Sequence, residues 1–413
     1  HRGPDDAGIY LSPESNRSLD FARDDTSTSS VQAHKEKVDS RFHGNDKARN
    51  KEENNYTVAL AHRRLSIIDL SASGHQPMTT TDSRYIIAYN GEIYNYTELS
   101  QKSKVKSQKL RSNSDTEIIL NLYAAYGKDC LQYLRGMFAF AIWDEKEKTL
   151  FAARDRFGIK PFYYLHNENE FIFSSELKAI KHYKNNLTIS KEGIDAFLRT
   201  GSVPATLTIY EEVASLLPGH YLVISDQKLE ISEYWSFNNL FSANSSSITH
   251  HSSLKKKYDD NAKKKIREAL LDTIKAHMVS DVEVGAFLSG GIDSTAIVSL
   301  MRQVGQEKIK TVSVVFPGNK LDESKYARLA AKTYNTEHIE IPFYEKDLLD
   351  DFENIMSVMD QPTIDGINTY FVSKAAKQAG LKVVLSGLGG DELFGGYPSF
   401  RNIPKYQKIK NLP

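Results

Sequence analysis

Cysteine is almost missing from this chain: Cys130 stands alone among 413 residues. A single thiol excludes an intramolecular disulfide and fits a reducing compartment. Cys130 lies beside Leu131 and Leu134 at helical spacing, the pattern of a packed thiol rather than of a nucleophile. Net charge is missing as well. Lys and Arg number 53, Asp and Glu 53, for a formal charge of +0, which gives no electrostatic footprint for nucleic acid or an anionic membrane. No apolar stretch is long enough to span a bilayer. These absences predict a cytoplasmic globular protein, and the length suffices for about two or three domains. The chain opens at His1 rather than Met and stops at Pro413, just past a glycine-rich block. We expect trimming at both ends, so a signal peptide is neither predicted nor excluded.

What is present divides at a polar stretch. From Tyr56 to about Ile231 short apolar runs alternate with turn signals. Residues 57–60 and 85–89 read as strands, while 137–143 with 149–153, and 162–165 with 171–173, read as hairpins. Ser114-Asp115-Thr116-Glu117 reads as a capping box opening a helix with Ile118, Ile119, Leu122 and Tyr123 on one face. Residues 238–258, rich in Asn, Ser, His and Lys, read as a linker, and the lysine triplets at 255–257 and 263–265 as solvated faces. Beyond residue 259 strands and helices alternate, which predicts a parallel α/β sheet with strands at 282–288, 309–316, 337–341 and 381–385. Residues 13–55 are highly charged and nearly free of aliphatics. They read as a disordered surface insertion. The domains are therefore expected at 1–237 and 259–413, joined by the linker.

The most informative stretch is Ala286-Phe287-Leu288-Ser289-Gly290-Gly291-Ile292-Asp293-Ser294. An apolar strand breaks at a glycine pair and passes into a helix, the layout that aims backbone N–H groups and a positive helix end at phosphate. Gly290 and Gly291 admit a ligand close to the backbone, Ser289 and Ser294 add hydroxyls, and Asp293 could hold Mg²⁺. No Gly-Lys-Ser/Thr follows, so this is not a Walker A loop. A second glycine-rich block runs Leu385-Ser386-Gly387-Leu388-Gly389-Gly390-Asp391-Glu392. Both blocks follow strand carboxyl ends and are expected to converge on one crevice.

Ser289 to Ser294 resembles the pyrophosphate loop of the ATP pyrophosphatases, and the second block resembles its counterpart in glutamine-hydrolysing asparagine synthetases. The N-terminal half is similar to the class II glutamine amidotransferase domain. The similarity is carried by His1-Arg2-Gly3-Pro4-Asp5, Arg63-Arg64-Leu65-Ser66-Ile67-Ile68-Asp69, Asn90-Gly91-Glu92-Ile93-Tyr94-Asn95 and Ser114-Asp115-Thr116-Glu117. The resemblance implies an α+β N-terminal-nucleophile domain of αββα layering, followed by the α/β parallel-sheet ATP-pyrophosphatase domain. It implies glutamine, aspartate and ATP as substrates, Mg²⁺ as cofactor, internal passage of ammonia, and a homodimer as a common assembly. It also implies a strand running from Tyr10 into Val58, which the insertion at 13–55 interrupts.

Residue roles follow from the same resemblance. Arg64 would bind the glutamine α-carboxylate, with Leu65, Ser66, Ile67 and Ile68 beside it, while Glu92 and Asp115 would meet the α-ammonium. Asn90 and the Gly91 N–H would form the oxyanion hole, glycine permitting the backbone conformation. The family's nucleophile is an N-terminal Cys ahead of the His-Arg-Gly-Pro-Asp motif, and no such residue is in this chain. Leu288, Val314, Ser386 and Gly387 match adenosine-pocket positions; Ser289, Gly290, Gly291, Asp293 and Ser294 match the pyrophosphate loop; Asp391 matches a Mg–pyrophosphate contact. Leu388 departs from the family's Glu, and leucine can neither take a proton nor offset charge. The expected reaction is amidation of aspartate through β-aspartyl-AMP. Two alternatives stay open: amidation of another carboxylate, or a non-catalytic remnant that binds glutamine or nucleotide.

Overall fold

The computed structural model describes residues 4–18, 55–102, 110–226, 228–242, 260–318 and 322–409. The chain forms two units. The first comprises His1–Leu254 together with Ser357–Ile364, and the second comprises Lys255–Met356 with Asp365–Pro413. Nothing in the composition of 357–364 marks this return to the first unit.

In the first unit, strands β1 (Asp6–Ser18) and β2 (Asn55–Arg64) pair antiparallel, Tyr10 opposite Leu60 and Ser12 opposite Val58. The expected single strand from Tyr10 into Val58 is thus two separate strands, since Tyr10 and Val58 lie on neighbouring antiparallel segments rather than on one. Most of the expected insertion, 19–54, lies outside the described residues. A six-stranded sheet carries β3 (Met78–Thr79), β4 (Tyr85–Ile93), β5 (Gly136–Asp144), β6 (Thr149–Arg154), β10 (His220–Ser225) and β11 (Lys228–Glu233) in the order β11-β10-β6-β5-β4-β3. A smaller sheet orders β8 (Phe171–Ser174), β7 (Tyr163–His166) and β9 (Val213–Ser215) as β8-β7-β9. Both expected hairpins, β5–β6 and β7–β8, are present.

Strand alternation sorts the core into two layers. On one face Ile87, Tyr89, Phe138, Phe140, Ile142 and Phe151 pack against Ile118, Ile119 and Leu122 of the helix Asp115–Tyr126. On the other, Ile86, Ala88, Ala139, Ala141, Trp143 and Leu150 pack against Leu60 of β2, with Phe162 and Leu216. This gives the helix–sheet–sheet succession expected of the layered α+β domain. Cys130 is fully buried in the first cluster, and burial pushes its thiol far above the ordinary range, as a packed side chain requires.

The helix Asp115–Tyr126 is capped by Ser114, whose Oγ accepts from the Thr116 N–H. The reciprocal half of the expected capping box is displaced. The Glu117 carboxylate accepts instead from the N–H groups of Arg111 and Ser112 and from the Ser112 hydroxyl. The Ser114 N–H that the capping box would use donates instead to Ser112 Oγ at 3.3 Å.

The second unit is a four-stranded sheet ordered β14-β13-β12-β15, every pairing parallel, with β12 at Val284–Phe287, β13 at Lys310–Val315, β14 at Glu337–Pro342 and β15 at Val383–Leu385. Helices such as Ile292–Gln303 and Ser324–Tyr334 join successive strands. Buried Ala286, Leu288, Val298, Met301, Ile309 and Ala327 fill one side. Strands β12 and β15, which lead into the two glycine-rich blocks, are direct neighbours. No described helix is long and apolar enough to cross a membrane.

Candidate active site

In the first unit the described parts of all four N-terminal motifs meet in one hydrogen-bonded network. Arg64, at the end of β2, is only 6% exposed. Its guanidinium donates to the carbonyl oxygens of Ile68 (3.0 Å), Asp69 and Ser71 (3.1 Å), wrapping the loop 65–71 around the side chain. Asp69 adopts φ 56° and joins this loop to the next motif. Its Oδ1 accepts from the Ser71 N–H, and its Oδ2 accepts from the Asn113 N–H at 2.9 Å. Burial alone would raise the Asp69 carboxyl, but these bonds outweigh it and hold the group below its ordinary value. The Ser66 N–H donates to Asp5 Oδ2 at 2.8 Å, which ties in the first motif. His1, Arg2 and Gly3 lie outside the described residues.

Asp115 follows Asn113 by two positions. Its Oδ2 accepts from the Tyr89 hydroxyl and from the Ile93 N–H, each at 2.9 Å. Those two residues bracket Asn90-Gly91-Glu92 on β4, so the helix start is pinned to the strand that carries the expected oxyanion hole. Burial raises the Asp115 carboxyl, opposed by these same bonds. Glu92 is 5% exposed, and burial pushes its carboxyl up to about 7, with Lys160 opposing and Asp115 adding to the rise. Leu65 is exposed, Ile67 is half-buried, and Ser66 and Ile68 are buried.

Gly91 is required for a reason other than the one expected. Its φ is not positive. A β-carbon there would stand 2.1 Å from the carbonyl oxygen of Met137 on the paired strand β5, so the close approach of β5 demands glycine. Asn90 Nδ2 donates to Ser175 Oγ at 3.1 Å. In this arrangement Ser175 Oγ is the acceptor, and the second Nδ2 hydrogen is left for another acceptor. Sequence reading missed Ser175, as well as Tyr89, Asp5 and Asp69 as structural partners. Asp5 and Asp69 belong to motifs and were open to discovery, whereas Ser175 lies outside every motif.

In the second unit Leu288 is fully buried at the end of β12. Gly290 takes φ 87°, and a β-carbon there would stand 2.6 Å from Tyr326 Cβ and 2.7 Å from the Ala327 nitrogen. Gly291 is the N-cap of the helix Ile292–Gln303 and supplies no capping side chain, while a β-carbon on it would meet only Ser289 Oγ at 3.3 Å. Ser289 Oγ and Ser294 Oγ lie 3.0 Å apart, bracing the loop internally. Val314 is half-buried on β13.

The second block meets this loop. A β-carbon on Gly387 would stand 3.0 Å from Asp293 Cβ, and one on Gly390 would stand 2.4 Å from Asp293 Oδ2. The expected convergence of the two blocks is therefore observed, with Asp293 between them. Ser386 Oγ accepts from the Leu388 N–H at 3.2 Å, Gly389 turns with φ 96°, and Asp391 lies in the first turn of the helix Gly390–Phe394. The Leu388 side chain is 85% exposed.

A glutamine amidotransferase domain model matches residues 17–235, and an asparagine synthase model matches 265–412. The chain belongs to the glutamine-hydrolysing asparagine synthetase family. It is 38% identical to a putative asparagine synthetase 2 of Methanocaldococcus jannaschii, over 87% of this chain and 70% of that protein. It is 36% identical to asparagine synthetase 1 of Bacillus subtilis, over 86% of this chain and 54% of the relative. Amidase chry2 of Gibberella zeae is 33% identical over 84% of this chain and 52% of its own length. The chain thus spans between about half and 70% of the length of these relatives.

Proposed function

We propose that this protein transfers the amide nitrogen of glutamine to a carboxylate activated by ATP, and that the carboxylate is aspartate. The observation that carries the reading is the meeting of the two glycine-rich loops at Asp293, at the carboxyl ends of adjacent parallel strands, where such sheets bind their ligands. The names of the bacterial and archaeal relatives point to the same acceptor.

In the glutaminase half the free amino acid is gripped at both charged ends. Arg64, held rigid by three loop carbonyls, meets the α-carboxylate through its remaining donors. Glu92 meets the α-ammonium, as does Asp115 through Oδ1, which has only a long bond from the Ser114 hydroxyl at 3.5 Å while Oδ2 is engaged by Tyr89 and Ile93. The second Asn90 Nδ2 hydrogen and the Gly91 N–H stabilise the oxyanion that develops at the amide carbon. Hydrolysis releases glutamate and ammonia, and its nucleophile is the family's N-terminal cysteine.

In the synthetase half an aspartate β-carboxylate oxygen attacks the α-phosphorus of ATP, and pyrophosphate leaves. Ammonia then attacks the acyl carbon and AMP leaves, giving asparagine. Ser289, Gly290, Gly291 and Ser294 cradle the departing pyrophosphate at the N-terminus of the helix Ile292–Gln303. Leu288, Val314, Ser386 and Gly387 bound the nucleoside. Asp293 and Asp391 suit Mg²⁺: both are hard oxygen donors, and Asp293 lies against Gly390, the residue before Asp391. When bound, the ion neutralises charge on the leaving pyrophosphate.

The test is ³¹P NMR of the full-length protein with Mg-ATP. Aspartate-dependent AMP and pyrophosphate are expected, and ADP with orthophosphate would overturn the reading. Leu388 favours a second reading in which the acceptor is another carboxylate. An exposed aliphatic side chain at that position gives no partner to a small charged amino acid but would pack against a larger, less polar acid. AMP formation with such an acid and none with aspartate would establish that reading.

A further inference from the structure

The segment Ser357–Ile364 belongs to the first unit although the chain around it builds the second. Several hydrogen bonds hold it there. The Ile364 N–H donates to the Gly201 carbonyl at 2.9 Å, and the Ile209 N–H donates to Gln361 Oε1 at 3.2 Å. Ser202 and Thr363 form a β-bridge. At its centre the Asp360 carboxylate accepts two backbone bonds, from the Leu177 N–H at 2.7 Å and the Lys178 N–H at 3.0 Å.

Those donors open the helix Leu177–Tyr183, whose own N-cap residue, Glu176, makes no side-chain capping bond. Asp360 therefore supplies from about 180 positions away in sequence the acceptor that a local Ser or Asp would ordinarily provide. Two residues before Leu177 stands Ser175, whose Oγ accepts from Asn90 Nδ2. A continuous path runs from Asp360 through two backbone amides and one turn of chain to the side-chain amide read here as the oxyanion donor.

We infer that Asp360 is a positioning residue for glutamine hydrolysis: by fixing the turn Ser174–Glu176 it holds Ser175 where it orients the Asn90 amide. The inference rests on the reading of Asn90 as an oxyanion-hole donor. Without the carboxylate, two N–H groups lose their acceptor and the turn relaxes. Ser175 then drifts from Asn90, and the donor is lost where charge develops. Arg64 and Asp115 hang on separate bonds, so ground-state binding of glutamine is spared.

The test is steady-state kinetics of the full-length protein, with glutamine hydrolysis compared with synthesis supported by ammonium, which bypasses the first site. For Asn90→Ala we expect a loss of about 10²–10³ in glutaminase kcat. For Asp360→Ala we expect a loss of about tenfold or more in kcat, with the glutamine KM and ammonium-supported synthesis within about twofold of wild type. Asp360→Asn, which keeps one acceptor oxygen, should recover part of the loss. Asp360→Ala added to Ser175→Ala should cost little more than Ser175→Ala alone, since both act through one path. If Asp360→Ala keeps wild-type kcat while Asn90→Ala loses it, the inference fails and the oxyanion reading stands. Full activity in Asn90→Ala would overturn that reading and the inference with it. A fall in melting temperature with equal loss of both activities would show that Asp360 only holds the fold, and would also overturn the inference.

Discussion

Gly74 presses against Arg64: a β-carbon on the glycine would stand 2.0 Å from Nη2 and 2.5 Å from Cζ of the guanidinium. Gly74 ends the short 3₁₀ turn Ala72–Gly74 and its φ is not positive, so alanine is excluded by the arginine rather than by the backbone. Three carbonyl bonds prevent Arg64 from swinging aside without cost. Gly74→Ala should therefore displace the group read as the carboxylate anchor and raise the glutamine KM about tenfold or more, a loss of roughly 1.4 kcal/mol in binding. Ammonium-supported synthesis should be unchanged. An unaltered glutamine KM would remove Arg64 from the site.

Glu92 gives a pH signature with a definite sign. Burial raises its carboxyl from 4.5 to about 7 in the folded protein. An acid whose folded value is raised contributes stability that is full below the unfolded value and is lost as pH rises through the folded one. Stability should fall between pH 4.5 and about 7, by roughly 3 kcal/mol at most given about 1.4 kcal/mol for each pH unit of displacement. Denaturant melts of wild type and Glu92→Gln across that window would check this, and the variant should show a flatter profile. Only the carboxylate form can pair with an ammonium group, so glutamine affinity should weaken as pH falls below about 7, and the substitution should reduce that dependence to the part that Asp115 carries.

The glycine pair of the phosphate loop separates structure from ligand binding. Gly290→Ala meets both a left-handed backbone and the Ala327 nitrogen, and should destabilise the second unit by about 1–3 kcal/mol. Gly291→Ala meets only Ser289 Oγ at 3.3 Å, so its melting temperature should stay near wild type. A methyl group there nevertheless stands at the helix N-terminus where pyrophosphate is proposed to bind, and ATP-dependent AMP formation should drop at least tenfold. Equal activity of Gly291→Ala and wild type would move the phosphate site elsewhere.

Cys130 should behave as core. Its burial and raised thiol predict no alkylation by iodoacetamide in the folded protein, with full modification in denaturant, read by peptide mass mapping. Rapid native labelling with loss of activity would reverse that assignment.

Elements set by local pattern were legible in the sequence. Short apolar runs marked β4, β5 and β6, and turn chemistry marked the hairpins. The motifs were legible as groups, and their tie through Arg64, Asp69, Asn113 and Asp115 follows chain order. Features that depend on tertiary approach were not legible. Gly91 answers to the carbonyl of Met137 across the sheet, Glu117 turns back to Arg111 and Ser112, and Ser175 reaches Asn90 from the bend that follows β8. Asp360 sits in a stretch with no glycine or motif to announce it, and its capping partners lie about 180 positions away. Pairings of that kind are decided by packing, which no window of local sequence contains.

On the proposed function, one protein moves nitrogen from glutamine onto an ATP-activated aspartate. The most direct measurement incubates the full-length protein with Mg-ATP, aspartate and amide-¹⁵N glutamine, and follows asparagine by mass. ¹⁵N-labelled asparagine is expected in amounts matching AMP and pyrophosphate. Glutamate and AMP formed without any labelled asparagine would contradict that function.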